Sequence, residues 1–244
     1  MNKQSKFYKF RRELIHYVYP CTCKICAVRC ETSSEQGICA RCQPTLPYHN
    51  HSREHVCECC GVELAPSSVE VGSICGECLS CPPYYDHVYA SFWYREPINR
   101  LISELKYHQS WENLSCLIAL HAQQCPPIPE HAQILAVPSH PRRVRERGFN
   151  VINQCVRTWR SYQAFDYSLN SLVRTRYTAT QTGMKRKQRI KNMRQIFAVR
   201  KSLRSDEIIL FDDVMTTGTT ANECARVIKQ AGAKRVEVWC LARA

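Results

Sequence analysis

The sequence predicts an α/β fold, a parallel sheet with helices on both faces, preceded by a small cysteine-rich module. Three observations lead there. Ile208-Ile209-Leu210-Phe211 is apolar without alternation, as a strand buried on both faces of a parallel sheet requires, and it runs into Asp212-Asp213 and a hydroxyl-rich turn. Ile134-Leu135-Ala136-Val137-Pro138 has the same character and also opens into a polar loop. Twelve of the seventeen cysteines lie before Pro82, so the composition changes sharply near that point.

The length of 244 residues suits one medium domain with a small accessory module. The expected division is a basic segment over 1–20, the cysteine module over 21–83 and the sheet domain over 84–244. No apolar stretch approaches the roughly 20 residues of a membrane span. Met1 to Tyr19 is basic and broken by charges instead of carrying a signal-peptide core, so a cytoplasmic location is expected.

In the module, four C-x-x-C pairs stand out: Cys23/Cys26, Cys39/Cys42, Cys57/Cys60 and Cys75/Cys78. In a reducing compartment this spacing lets both thiolates of a pair face one ion, and two sites of four thiolates each read as a double zinc ribbon. Four thiolates leave no open position, so about two zinc ions are expected in structural roles. Cys78/Cys81 is an equally spaced rival to Cys75/Cys78, and His49, His51 and His55 lie between the clusters as alternative ligands. Cys116, Cys125, Cys155, Cys224 and Cys240 stand in apolar surroundings and read as packing residues.

Beyond Pro82-Pro83, Tyr84 to Tyr94 reads as a strand leading into a helix, and Pro97, Ile98, Leu101, Ile102 and Leu105 set an apolar stripe ahead of Lys106-Tyr107. Ser139 to Arg143 reads as a polar loop opening at the same sheet edge as the Asp pair. Val144 to about Trp159 reads as one helix, and Gln181 to Asn192 as a mobile loop or short helix over the site. After the Asp pair, backbone N–H groups of Thr216, Thr217, Gly218, Thr219 and Thr220 can curl around a phosphate, Gly218 supplying conformational freedom and the next helix its positive end. Ala221, Cys224, Ala225, Val227, Ile228 and Ala231 recur at helical spacing, Gly232 suits a C-cap, and Val236 to Leu241 is the next strand.

The net charge of +13 is local: between His140 and Ser205 seventeen Lys or Arg face two acids. Phe149, Trp159, Tyr162, Tyr167 and Tyr177 are interleaved with these cations, the mixture a single-stranded nucleic acid groove uses for stacking and backbone tracking.

The run from Ile208 through Asp212-Asp213-Val214-Met215 to Thr220 resembles the signature of the type I phosphoribosyltransferases. More of the chain resembles the ComF competence family. The resemblance rests on the paired cysteines with Cys60-Gly61, Leu105-Lys106-Tyr107, Val137-Pro138 and Arg145-Glu146-Arg147-Gly148-Phe149-Asn150. It continues through Gln181-Thr182-Gly183, Arg189, Asn192, Phe197 and the Asp212 to Thr220 cradle. Cys59 and the thiol of Ser80-Cys81 depart from the family pattern.

The resemblance implies a type I phosphoribosyltransferase-like domain behind the double zinc ribbon. It implies that Asp212 and Asp213 hold the ribose hydroxyls of phosphoribosyl pyrophosphate and that Met215 to Thr220 hold its 5′-phosphate. Lys106, Arg142 and Arg143 are candidates for the pyrophosphate with Mg2+, and Arg189 for closing the site. The implied role is DNA uptake in natural transformation, with single-stranded DNA and other uptake proteins at the inner membrane as partners. A catalytically active phosphoribosyltransferase acting on a base or amine is the alternative.

Overall fold

The computed structural model describes residues 22–30, 37–49, 55–65, 73–175 and 196–244. Segment 1–20, Cys21, His51, Tyr177 and the 181–192 stretch with Arg189 lie outside the described residues.

Five parallel strands build the sheet: β1 (His87–Trp93), β2 (Gln133–Ala136), β3 (Asp166–Ser168), β6 (Glu207–Met215) and β7 (Arg235–Arg243), in the order β1-β7-β6-β2-β3. A separate antiparallel pair joins β4 (Leu172–Arg174) to β5 (Phe197–Val199). The two apolar runs are the central strands, with Ile208 to Phe211 and all of β2 buried. Such strands have no solvent face, which is why their sequences do not alternate.

The helices are α1 (Gly76–Ser80), α2 (Ile98–His108), α3 (Trp111–Gln124), α4 (Pro141–Arg147), α5 (Val151–Arg160) and α6 (Thr219–Gln230). Ile98, Leu101, Ile102 and Leu105 form the buried stripe of α2. Trp159 of α5 meets Phe211 at 5.4 Å and Trp239 at 5.8 Å between ring centroids, and Tyr89 lies 5.3 Å from Trp239. Cys224 of α6 instead feels the charge of Asp212, the strand neighbour of Phe211. Adjacent strand residues face opposite ways, so helices cover both faces.

Three readings change. The helix expected over Val144 to Trp159 is two helices, because Gly148 adopts φ 79° and ends α4, while the Asn150 side chain accepts from the Asn153 N–H at 3.2 Å and starts α5. The loop expected over 139–143 is helical from Pro141, with His140 as N-cap. Trp159 is fully buried, so it belongs to the core and not to a stacking surface. At the end of α6 the reading holds: Gly232 has φ 106° and donates to the Lys229 carbonyl, while Ala233 donates to that of Ile228.

The cysteine module fastens onto the sheet. Tyr48 bridges to Phe92 of β1, His49 donates its backbone N–H to the Ser91 carbonyl at 3.0 Å, and Trp93 donates to the Pro47 carbonyl at 2.7 Å. This covers the outer edge of β1 with backbone partners.

Candidate functional site

From β2 the chain moves outward to β3, and from β6 it moves the other way to β7. The carboxyl ends of β2 and β6 therefore flank a topological switch point, where open α/β sheets carry their crevice. The register sharpens this. Ala136 pairs with Phe211 at the end of β2, whereas β6 continues beside β7 through Asp212 and Val214 to Met215. Asp212 and Asp213 thus stand just past the last β2 pairing, on a strand whose other side is still held.

The two acids have different surroundings. Asp213 pairs with Lys106 of α2 at 3.0 Å, both largely shielded from solvent. Asp212 accepts from the Asp213 N–H at 2.8 Å and lines a small open pocket with Val214 and the Met215–Ala221 segment. Burial first, then the charge of Asp213, pushes the Asp212 carboxyl up to about 7, against the opposing pull of the Asp213 amide and Lys106. A carboxyl poised near neutrality in a crevice is a common mark of a functional position.

The turn after β6 is shaped for an anion. Gly218, at φ 71°, begins α6 without a side-chain cap, and the first turn of α6 contains no acid. A Cβ on Gly218 would lie 2.7 Å from Met215 Cε and 3.1 Å from Tyr85 Oη, so glycine is required by space as well as by dihedral. The Thr217 and Thr219 hydroxyls lie 2.9 Å apart at the pocket rim. First-turn amides, two hydroxyls and a positive helix end match a phosphate monoester.

Of the predicted cations, Lys106 reaches the acid pair. Arg142 is exposed on α4 and pairs with Glu146 at 2.7 Å, and Arg143 is exposed beside it. Sequence reasoning counted Arg174 among the cations but did not single it out. It is half-buried at the end of β4, 5.6 Å over the Phe197 ring, and burial first, then Arg143, lowers its pKa. Its charge and that of Asp212 both act on the buried Cys224 thiol, Arg174 opposing the rise that burial and Asp212 cause. A charged residue closing the short apolar Leu172-Val173 run was the available signal.

The structure brings together the Sγ atoms of Cys23, Cys26, Cys39 and Cys42 in one cluster, and of Cys57, Cys60, Cys75 and Cys78 in another, all within 4.8 Å of one another. Cys26 and Cys39, and likewise Cys60 and Cys75, approach to 3.7 Å. Four thiolates about 2.3 Å from a zinc ion stand about 3.8 Å apart, and a disulfide would need about 2.0 Å, so the donor sets fit tetrahedral zinc. Cys81 is exposed at the end of α1 and outside the cluster. His49 is buried, bonded through Nε2 to the Gly61 carbonyl at 2.8 Å and packed against Trp93 with the ring planes tilted by 50°, so it is not a ligand.

The two clusters repeat one fold. Cys23 donates its N–H to Val28 and Cys57 to Val62, both at 2.8 Å, and the return bonds run from Ala27 and Gly61. Burial raises the Cys23 thiol, but backbone donors from Cys39, Cys26 and Ile25 outweigh it and bring it down to about 6. Cys57 is brought to about 7 in the same way, by Cys75, Cys60 and Cys59. In the same clusters burial first raises the thiols of Cys42, Cys60 and Cys78, so the case for a metal rests on the geometry of the four sulfurs.

One side chain joins the second cluster to the anion turn. Arg243, buried at the end of β7, donates through Nε to the Cys60 carbonyl at 2.9 Å and through a terminal nitrogen to the carbonyls of Met215 and Thr216. Tyr85 lies alongside, its hydroxyl against Gly218 and its pKa raised by burial first and then by Cys60 and Cys78.

No family model matches the chain. It is 30% identical over 227 residues to competence protein F of Haemophilus influenzae, covering 86% of this chain and 92% of that protein. It is 29% identical over 213 residues to DNA utilization protein YhgH of Escherichia coli (strain K12), covering 85% and 90%. Competence protein ComFC of Streptococcus pneumoniae is 22% identical over 211 residues, covering 86% and 90%. Among solved structures, one titled as the allosteric regulatory enzyme of purine biosynthesis aligns with 51% of this chain and 24% of its own, at a TM-score of 0.34 and 19% identity.

Proposed function

The chain belongs to the competence protein F (ComF) family, and from that premise we propose that it is a cytoplasmic DNA-uptake protein. In this reading its cleft holds phosphoribosyl pyrophosphate with Mg2+ and its basic surface holds single-stranded DNA. The observation that carries the small-ligand half is the juxtaposition of Asp212 with the uncapped, acid-free start of α6 in one pocket at the switch point. Amides and hydroxyls of Thr216 to Thr220 would take the 5′-phosphate. Asp212 would accept from the ribose diol. Asp213 would accept from the same diol, Lys106 with Arg142 and Arg143 would act at the pyrophosphate end, and Arg189 would close the site. Mg2+ would supply charge neutralisation between phosphate and ribose oxygens, a role suited to an ion that keeps phosphate and water ligands.

Titration calorimetry tests this reading. Wild type should bind phosphoribosyl pyrophosphate in a magnesium-dependent manner, and a chain carrying Asp212→Asn with Asp213→Asn should not. Equal affinity of the two proteins rejects it.

The names of the relatives support the DNA half, and no helix among the described residues is long and apolar enough to cross a membrane. Other uptake proteins at the inner membrane would then be partners in handing on the strand. The second reading, an active phosphoribosyltransferase using a base or amine acceptor, is favoured by the Lys106–Asp213 pair. A cation held beside the acids could stabilise departing pyrophosphate. A turnover assay on wild type, beside a transformation assay on the double Asp variant, separates the two: loss of uptake without turnover favours a binding role.

A further inference from the structure

Tyr107 and Trp111 flank the turn between α2 and α3 and are 71% and 45% exposed. The cleft described above uses neither. The Arg147 guanidinium lies 5.3 Å from the Tyr107 ring centroid, and the Trp111 and Phe149 rings are 4.8 Å apart. Gln109 Nε2 donates to the Arg147 carbonyl at 3.1 Å, locking the α2–α3 turn to the α4–α5 break. Two separate chain segments thereby build one strip, Tyr107, Arg147, Phe149 and Trp111. Helix α4 beside it carries Arg142, Arg143 and Arg145, and its single acid, Glu146, is paired with Arg142. Lys106, next to Tyr107 in the chain, reaches Asp213 at 3.0 Å, so the strip borders the cleft.

We propose that this strip is the surface on which a single-stranded nucleic acid stacks its bases, with the arginines of α4 tracking its phosphates. The proposal rests on the DNA-binding reading above and gives it a location. Rings with open faces held beside cations accept any base, whereas a duplex hides its base faces inside the stack. Four arginines within seven residues match a phosphate backbone in sign and density. Trp159, which the sequence pattern had placed on such a surface, is core. Tyr107 and Trp111, outside the basic run in sequence, supply the rings.

The molecule contains a built-in reporter. Of its four tryptophans, Trp93, Trp159 and Trp239 are buried, so ligand-induced quenching of tryptophan emission reads Trp111. The full chain is titrated with a thymidine oligomer of about 15 nucleotides, the matching duplex and the mononucleotide, with affinities read in parallel by anisotropy of a labelled strand. The single strand should quench emission, with an affinity that falls as salt rises. Tyr107→Ala and Trp111→Ala should each weaken binding about five-fold or more. Trp111→Phe should keep most of the affinity while losing the signal, and all three changes are at exposed positions that the fold does not need.

Binding of the strand without quenching, and with wild-type affinity in both alanine variants, overturns the strip while leaving DNA binding in place. Quenching by the mononucleotide at the same concentration as the oligomer overturns it in favour of a small-molecule base site. No binding of the oligomer overturns the strip together with the DNA reading.

Discussion

Asp212 is a residue held against its own preference. Its carboxyl has an ordinary pKa of 3.8 and is raised to about 7 by burial and by Asp213. The folded chain therefore binds this proton more tightly than the unfolded chain. The associated stability is present below about pH 4 and is lost as pH rises through about 7. Asp212→Asn removes an ionisable group that burial penalises, so thermal unfolding near pH 8 should show a stabilised protein, by roughly 1–3 kcal/mol, with the gain vanishing near pH 4. The same change should remove affinity for a ribose diol, which needs the ionised acceptor. In wild type, binding should strengthen as pH rises from about 6 to about 8. A variant less stable than wild type at pH 8 would mean that Asp212 serves the fold and not the ligand.

The zinc ribbons are the elements where local sequence says most. Cys-x-x-Cys spacing specifies its own geometry within a few residues, which is why the pairing of 23/26 with 39/42 and of 57/60 with 75/78 could be read in advance. The β6 run was legible for a similar reason, since a strand buried on both faces writes its environment into consecutive residues. The helix over 144–159 was misread because Val151, Ile152, Cys155, Val156 and Trp159 keep the apolar spacing going, and one glycine inside such a pattern is usually tolerated. Comparing the ribbons exposes an asymmetry. Ala27 has φ 59° at the position where Gly61 has φ 65°, a left-handed conformation that costs an alanine energy. Ala27→Gly should stabilise the first ribbon by about 0.5–1 kcal/mol, seen as slower loss of zinc to a chelator. Gly61→Ala should do the reverse and more severely, because its Cβ would press on the His49 ring at 3.3 Å.

At the scale of the whole molecule, the decisive contacts join distant parts of the chain, and no window of sequence displays them. Arg243 and Cys60 are 183 positions apart, and nothing in Leu241-Ala242-Arg243 signals that a basic residue is buried there. The first ribbon docks elsewhere, through Lys24 paired with Glu112 and an Arg100 contact to the Lys24 carbonyl at 3.2 Å. The two cysteine clusters should therefore differ in reach. Cys57→Ser should lower affinity for phosphoribosyl pyrophosphate by roughly 10-fold in calorimetry, while Cys23→Ser should leave it within about two-fold, each variant losing about one zinc per chain by metal analysis. Equal effects would mean the ribbons act only through general stability.

A guanidinium that grips carbonyls of the second cysteine cluster and of the turn after β6 is a mechanical linkage. A shift of the backbone at Cys60 would therefore be passed through Arg243 to the Met215–Thr216 turn.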